Sequence, residues 1–201
     1  MKELDKMLSG NLYLAYDKEL SELRFKCREL MDQINSTSFN DNEKRIEIIK
    51  TLFSKVGNNV SINKPFYCDY GINIEIGDNF YSNYDLLILD VNKVIIGNNV
   101  MFGPRVSIYT AAHPIDKDVR RTNLEYGLPV VIEDDVWIGG NTVINPGVTI
   151  GSGSVIGANA VVTKDIPSNV IAVGNPCRVL REITNLDKVY WEKEKDKYYN
   201  R

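Results

Sequence analysis

The one histidine of the sequence, His113, is the residue best suited to proton transfer near neutral pH. It lies in the segment Tyr-Thr-Ala-Ala-His-Pro-Ile, which runs from residue 109 to residue 115. Acyl transfer from a thioester to an alcohol needs such a base, because an alcohol is a poor nucleophile until its proton leaves. Taken by itself, the position of His113 fits an ordinary surface histidine equally well.

The three cysteines carry no pattern that indicates chemistry. Cys27, Cys68 and Cys177 show neither the short spacing of a zinc site nor the even number of a disulfide framework. Asp69, which follows Cys68, gives no obvious help to a thiolate. We interpret all three as ordinary thiols, and we expect no catalytic metal.

Length and charge restrict the class of protein. A chain of 201 residues, 43% of them apolar, is long enough for one domain with an appendage. The net charge of −3 offers no basic field to recruit nucleic acid. No apolar run approaches a membrane span, and the charged first residues lack the apolar core of a signal peptide. We therefore expect a cytoplasmic protein that binds neither nucleic acid nor membrane.

A six-residue repeat dominates the second half of the chain. Large aliphatic residues stand at every sixth position, namely Ile132, Ile138, Ile144, Ile150, Ile156 and Val162. Smaller or β-branched residues follow the first five of these after four positions, namely Val136, Thr142, Val148, Ser154 and Ala160. The six-residue spacing also occurs earlier, at residues 76, 82 and 88 and at residues 96, 102 and 108.

The period of six has a direct structural meaning. Six residues make one short strand and one turn, so three units close a triangular coil in which both repeated positions point inward. Gly, Asn and Asp suit the corners because they tolerate positive φ. One unit cannot bury its own apolar side, so coils must stack. The sequence therefore predicts an all-β solenoid, a left-handed parallel β-helix, because a β-sandwich rarely keeps this register over six units.

Two interruptions and two different ends complete the predicted architecture. The step from residue 88 to 96 needs two extra residues, and the step from 108 to 132 implies an extruded loop at about 110–127. Such loops are often functional, and His113 lies at the start of this one. The predicted regions are an N-terminal helical region over 1–57 that covers the open end, the β-helix over 58–183, and a C-terminal helix or tail over 184–201.

These segments together resemble the maltose and galactoside O-acetyltransferases of the hexapeptide-repeat superfamily. The likeness rests on the hexads, the His113 segment and Val-Trp-Ile-Gly-Gly at residues 136–140. Further matching segments lie at residues 66–71, 79–83 and 174–179, so the likeness covers nearly the whole chain. It implies an acetyl-CoA-dependent O-acetyltransferase that acts on a sugar such as maltose, glucose or a related glycoside. It also implies direct transfer with His113 as general base, in a homotrimer with active sites between subunits.

The resemblance also implies two sets of binding residues. The positions that contact acetyl-CoA in the family match Asn83, Gly140, Ala158, Thr163, Lys164, Arg178 and Arg181 of this sequence. The three cationic side chains of this set suit the phosphates of CoA, whereas without the resemblance we would interpret the two arginines as solvated surface charge. Its acceptor contacts match Asp69, Tyr81 and again Asn83.

Several roles stay open at this point. Asp69 could instead cap a turn, and Trp137 could line the thioester channel or pack between subunits. Glu125 could orient the histidine ring. The donor to the tetrahedral oxyanion could be a backbone N–H near Gly140 or the amide of Asn83.

Departures from the galactoside enzymes concern the acceptor. Those enzymes carry a serine where this chain has Asp69, an acidic residue where it has Val91, and an aspartate that aligns with Ala15. Asp17, two residues later, is a possible replacement for that aspartate. We expect an acceptor unlike lactose and closer to that of the maltose enzymes.

Two alternatives remain beside the sugar acetyltransferase. One is an O-acetyltransferase that acts on an antibiotic hydroxyl, a branch that shares the solenoid and the loop histidine. The other is a non-enzymatic solenoid scaffold. A single histidine excludes the three-histidine zinc site of the parallel β-helix carbonic anhydrases.

Overall fold

The hexads form three parallel sheets, which are the three faces of a coil. The computed structural model of the protein describes residues 1–200. Each hexad contributes a strand of two to four residues and then turns onto the next face. Strands of successive coils pair in parallel, and only the last strand of the second face is antiparallel to its neighbour. The predicted parallel β-helix, with helices at both ends of the chain, is confirmed.

The helices are α1 (Glu3–Leu8), α2 (Lys18–Ser36), α3 (Asn42–Leu52), α4 (Lys117–Arg120) and α5 (Asn185–Tyr199). Three strands lie outside the coil: β1 (Tyr13–Leu14), β11 (Ala111–Ala112) and β12 (Leu124–Gly127). The first face contains β2 (Lys55–Val56), β5 (Ile74–Ile76), β8 (Val94–Ile96), β13 (Val130–Ile132) and β16 (Thr149–Ile150). The second face contains β3 (Ser61–Ile62), β6 (Tyr81–Ser82), β9 (Met101–Phe102), β14 (Trp137–Ile138), β17 (Val155–Ile156), β19 (Val170–Val173) and β20 (Arg178–Glu182). The third face contains β4 (Phe66–Cys68), β7 (Leu86–Leu89), β10 (Ser107–Tyr109), β15 (Val143–Ile144) and β18 (Val161–Val162).

Stacked aliphatic side chains form the core of the coil. On the first face, one column contains Val56, Ile76, Ile96, Ile132 and Ile150, each paired with the next through the strand register. All but the first are at most 2% exposed. Burying one such side chain stabilises the fold by about 1.5–3 kcal/mol. The smaller inward positions predicted from the repeat are buried as well.

The corner between the first and second faces is held by a ladder of polar side chains. Asn59, Asn79 and Asn99 all adopt positive φ, a conformation that asparagine tolerates better than most residues. The amide of Asn59 donates to Asn79 at 3.1 Å, and that of Asn79 donates to Asn99 at 2.8 Å. Asparagine therefore repeats at this corner because the side chain in each coil forms a hydrogen bond with the side chain in the next coil.

The extra residues of the first coils lie at the corner between the third and first faces. Successive strands of the first face are 20 residues apart up to Ile96, and 18 residues apart from Ile132 to Ile150. Residues 110–129 leave the coil at this same corner. We call it the loop corner, comprising residues 69–73, 89–93 and 110–129.

The extruded segment is folded and joined to the N-terminus. β12 pairs with β11 on one side and with β1 on the other, both antiparallel, so the loop and the N-terminal strand share a small sheet. Asn92 reinforces this junction, because its amide donates to the carbonyls of Met7, Leu8 and Gly127. The sequence pattern predicted a loop here but did not indicate this sheet.

The N-terminal helices close the first coil. Ile34 of α2 and Ile46 and Ile49 of α3 are buried in the same apolar cluster as the coil interior. β2 begins at Lys55, so the solenoid starts three residues earlier than the predicted boundary at residue 58.

At the other end of the chain, α5 begins after Thr184, whose side chain caps it, and none of the residues of α5 is buried. Among residues 1–200, no helix combines the length and the apolar character that a membrane span requires.

Two neighbouring isoleucines of β8 provide a matched test of this core. Ile96 points inward and is 2% exposed, whereas Ile95 points outward and is 37% exposed. We expect Ile96→Ala to lower the free energy of unfolding by about 2–5 kcal/mol, because the rigid column leaves a cavity. We expect Ile95→Ala to cost less than about 1 kcal/mol. Denaturant unfolding of both variants measures the difference, and equal losses would contradict the assigned inward column.

Candidate active site

A cavity of about 270 Å³ lies at the loop corner, between the N-terminal segment and the base of the loop. It is close to the lower end of the range for small-molecule sites, about 300 Å³. We call it the loop-corner cavity; it is lined by Tyr13, Ala15, Tyr16, Arg24, Asp69, Tyr70, Val91, Ala111 and Glu125. Two carboxylates, a guanidinium and three phenols in one concave site suit a ligand rich in hydroxyl groups.

Arg24 joins the segments that form this cavity. Its guanidinium donates to the Tyr70 hydroxyl at 2.6 Å, to the Ala15 carbonyl at 2.5 Å and to the Ser21 hydroxyl at 3.2 Å. Its Cζ atom lies 5.5 Å from the centre of the Tyr70 ring, within cation–π range. One side chain of α2 thus holds the N-terminal strand and the first loop-corner turn together.

Asp69 has the environment of a ligand-binding carboxylate. Its side chain is partly buried and accepts no hydrogen bond from residues 1–200, so it caps no turn there. Burial raises the pKa of Asp69, while the positive charge of Arg24 opposes that effect. The turn is held by Asp90 instead, whose side chain accepts the backbone N–H groups of Asp69 and Tyr70. Burial raises the pKa of Asp90 to about 7, against the lowering effect of these N–H donors.

His113 follows β11 directly and is exposed. β11 pairs Ala111 with Gly127 and Ala112 with Tyr126, so continuing this register would place His113 opposite Glu125. Side chains two residues apart on a strand share a side, so the same continuation would put His113 on the side of Ala111, a residue that lines the cavity, although His113 itself is not among the lining residues. Glu125 accepts a hydrogen bond from the Tyr13 hydroxyl at 3.0 Å, and burial beside this carboxylate raises the pKa of Tyr13.

Asn83, Gly140 and Ala158 lie at a different place, the corner between the second and third faces. We call it the glycine corner, comprising residues 83–85, 103–105, 139–141 and 157–159. The Asn83 side-chain oxygen accepts the Tyr84 N–H at 2.8 Å, which leaves its amide NH₂ group available. Among residues 1–200, the N–H groups of Gly140 and Ala158 have no acceptor, although those of the residues on either side of each, namely Gly139, Asn141, Gly157 and Asn159, do. This corner therefore presents hydrogen-bond donors on successive coils.

The four remaining predicted cosubstrate contacts are all exposed side chains. Thr163 and Lys164 follow β18, whereas Arg178 and Arg181 lie on β20. Arg181 is engaged within the chain, because it forms a bidentate pair with Asp187 at 2.7 and 2.8 Å. That pair raises the pKa of Arg181 and lowers the pKa of Asp187.

The outer side of the second face carries a column of exposed apolar residues. Tyr81, Met101 and Trp137 are paired along the strands and are 39%, 49% and 51% exposed. The Tyr81 hydroxyl accepts a hydrogen bond from Asn63 at 3.2 Å. Tyr81 thus lies on another face from the loop-corner cavity and is not part of it.

A single chain does not bring the predicted site residues together. Asp69 and the base of the His113 loop lie at one edge of the third face, while Asn83, Gly140 and Ala158 lie at the other. At about 3.3 Å per residue, the strand between these edges separates them by roughly 15 Å. Tyr81, Arg178 and Arg181 belong to the second face.

The three cysteines are free and buried, as ordinary thiols would be. Burial, together with the hydrogen bond between the Cys27 and Cys68 sulfurs, raises the pKa of Cys68. Within residues 1–200, no group of three or more His, Cys, Asp or Glu side chains is placed to hold a metal ion.

Comparison with known proteins connects this architecture to a family. The maltose acetyltransferase hexapeptide capping motif matches residues 6–57, and the bacterial transferase hexapeptide model, with six repeats, matches residues 129–164. The galactoside O-acetyltransferase of Escherichia coli K12 is 44% identical over 194 residues, which cover 96% of either chain. This chain belongs to the maltose and galactoside O-acetyltransferase family. As a member of it, the protein is an acetyltransferase.

Solved structures agree with this assignment. A maltose O-acetyltransferase from Clostridium difficile 630 is 52% identical, with a TM-score of 0.91, and the match covers 92% of this chain and 98% of that one. A hexapeptide-repeat acetyltransferase from Vibrio cholerae O1 biovar eltor, solved with acetyl coenzyme A, is 40% identical. Its TM-score is 0.85, and the match covers 92% of this chain and 100% of that one.

The structure shows where the positions that depart from the galactoside pattern lie. Ala15 and Val91, where the resemblance implied acidic residues in the galactoside enzymes, both line the loop-corner cavity. The Asp17 side chain caps α2, because its Oδ1 atom accepts the N–H groups of Glu19 and Leu20, and Asp17 is not among the residues that line the cavity. The sequence contains no signal for Arg24 and Tyr13, since no repeat or spacing distinguishes them, and the resemblance indicated no role for Asp90.

Arg24→Gln tests how the cavity is held together. We expect it to lower the free energy of unfolding by about 1–3 kcal/mol, because three hydrogen bonds from a charged group are lost or weakened. Arg28→Gln, one turn further along α2, is the matched control, since Arg28 is exposed and no side-chain hydrogen bond is found for it within residues 1–200. Denaturant unfolding measures both variants, and an Arg24→Gln variant as stable as the control would refute the role of Arg24.

Proposed function

We propose that this protein transfers the acetyl group of acetyl-CoA to a hydroxyl of a sugar, with His113 as the general base. The observation that carries the proposal is the β11–β12 pairing, because β11 lines a cavity rich in hydroxyl-binding groups and ends at the residue before His113. Family membership supports acetyl-CoA as the donor, since a relative of the same fold was solved with it.

The proposed reaction is a direct transfer within a ternary complex. The imidazole of His113 takes the proton of the acceptor hydroxyl while that oxygen attacks the thioester carbonyl. The C–O bond forms, the C–S bond of the tetrahedral intermediate breaks, and the proton passes to the departing thiolate. The unpaired N–H donors of the glycine corner and the Asn83 amide suit the oxyanion and the pantetheine amides. Lys164, Arg178 and Arg181 are the proposed partners of the CoA phosphates, together with a contact from Thr163.

Glu125 is the proposed orienting group for the imidazole. Continuing the register of the small sheet by one residue would bring Glu125 opposite His113, and the Tyr13 hydroxyl donates to its carboxylate. A carboxylate in that place holds one tautomer of the ring and stabilises the imidazolium that forms during transfer.

The acceptor site is proposed to be the loop-corner cavity. Asp69 contributes a carboxylate that no residue of the described chain engages by a hydrogen bond, and carboxylates accept hydrogen bonds from paired sugar hydroxyls. Because Ala15 and Val91 replace acidic residues of the galactoside enzymes in this cavity, the acceptor is proposed to be maltose-like or glucose-like rather than lactose-like.

The active site is proposed to form between the subunits of a homotrimer. The cavity and the base of the His113 loop lie at one edge of the third face and the free donors of the glycine corner at the other, so a site that uses both takes one of them from a neighbouring copy. The apolar column of Tyr81, Met101 and Trp137 on the second face is a suitable contact surface, and closure by three-fold symmetry would bury it. Tyr81 would then reach the acceptor site of a neighbouring subunit.

His113→Ala tests the mechanism. We expect kcat to fall about 10²–10⁴-fold with the affinity for CoA unchanged, because only proton transfer is lost. Lys117→Ala, an exposed change in the same loop, is the control and should leave kcat unaltered. Release of free thiol from acetyl-CoA measures turnover against maltose, glucose, lactose and an antibiotic alcohol.

Each outcome of this acceptor panel has a defined meaning. Transfer to maltose or glucose supports the proposal, whereas transfer to the antibiotic alone would indicate a xenobiotic acetyltransferase. Absence of both CoA binding and acetyl transfer would favour the alternative of a non-enzymatic solenoid scaffold. Unchanged turnover in His113→Ala would remove this residue from the mechanism.

A further inference from the structure

A buried carboxylate at the loop corner has no part in the proposed chemistry. Asp90 is fully buried. Its Oδ1 atom accepts the backbone N–H of Asp69 at 3.0 Å and that of Tyr70 at 2.9 Å, and its Oδ2 atom faces the N–H of Asn73 at 3.4 Å. The Asn73 side chain closes the arrangement by donating to the Asp90 carbonyl at 2.7 Å. Asp90, in the second coil, therefore forms hydrogen bonds along the whole turn formed by residues 69–73 of the first coil.

Stacking of the coils does not by itself require this carboxylate. The fourth and fifth coils turn the same corner with residues 145–148 and 163–165, and no buried acid lies there. Burying a charged group costs free energy unless it is fully hydrogen-bonded, so an apolar corner would be the simpler way to stack. The first two coils instead contain two extra residues at this corner together with the acid that holds them.

The turn that Asp90 holds has little freedom to shift. Gly71 adopts a φ of +72°, and a Cβ atom built on it would lie 2.3 Å from Cγ of Leu52 in α3. The turn is thus pressed against the N-terminal helices on one side and bonded to Asp90 on the other. Since the Asp69 side chain has no hydrogen bond of its own within residues 1–200, the backbone of this turn decides where its carboxylate points.

We propose that Asp90 is a positioning residue for the sugar acceptor, acting through the backbone of Asp69 and Tyr70 to aim both side chains into the loop-corner cavity. This inference rests on the proposed function, because the cavity must be the acceptor site for the positioning to affect catalysis. It assigns to Asp90 no contact with the sugar itself.

The test compares Asp90→Ala with the isosteric Asp90→Asn. The asparagine keeps one oxygen that can accept both short N–H bonds, whereas alanine removes them. We expect Asp90→Ala to raise the acceptor KM by about 10- to 100-fold, since small displacements of a binding group cost that much. The KM for acetyl-CoA should stay within about twofold, and Asp90→Asn should restore the acceptor KM to within about threefold of the unmodified protein.

Ser154→Ala is the matched control for the loss of buried hydrogen bonds. Ser154 is fully buried, donates to the Pro167 carbonyl at 2.7 Å and accepts the Val170 N–H at 3.3 Å, away from both proposed binding sites. It should lose stability with no change in either KM. If Asp90→Ala behaves like this control, with an unaltered acceptor KM, the inference is wrong.

Hydrogen exchange separates this inference from the proposed function. Mass spectrometry of peptides covering residues 69–73 should show faster amide exchange in Asp90→Ala than in Asp90→Asn, whether or not any sugar is acetylated. Should the unmodified protein acetylate no sugar while the exchange difference appears, the proposed function fails and Asp90 still holds the turn. Equal exchange in the two variants would overturn the role of Asp90 directly.

Discussion

The structure depends on one constraint, the stacking of inward side chains in a three-sided coil. Strands of only two to four residues have little stability alone, so each coil is stable because the next one covers its apolar interior. Any residue added within a face would shift this register and turn buried side chains outward. Additions are therefore tolerated only at corners, and both the two-residue extensions and the 20-residue excursion at 110–129 are found at the same corner.

That location explains how a regular solenoid acquires a site. The extensions place Asp90 and Asn92 in buried positions, where one holds the turn at Asp69 and the other joins the loop to the N-terminal segment. The loop then pairs with β1, which carries Tyr13 into contact with Glu125. Residues that lie more than 100 apart in sequence thus line one cavity, and the coil supplies the rigid support that such a site needs.

The fold was largely predictable because a period of six leaves little choice of structure. Inward residues such as Ile138 and Thr142, the position of the loop and the helical ends follow from periodicity, and the structure confirms them. β1 is two residues long and has no periodicity, so only tertiary pairing reveals it. Asp90 resembles any acid next to a strand until its three N–H partners are seen. The resemblance to the acetyltransferases indicated the candidate site residues. Their separation onto the two edges of the third face follows from the geometry of the coil and is visible only in the structure.

The central claim is that the proposed site needs two edges of the coil, supplied by neighbouring subunits. The most direct measurement mixes two inactive variants, His113→Ala and Ala158→Trp, under conditions that allow subunits to exchange. If one subunit contributes the histidine and its neighbour the glycine corner, random mixed trimers contain some sites in which both residues are intact. Acetyl transfer should then recover to about one quarter of the unmodified rate. Mixed trimers that form but remain inactive would contradict the account, because both residues would then belong to the same subunit's site.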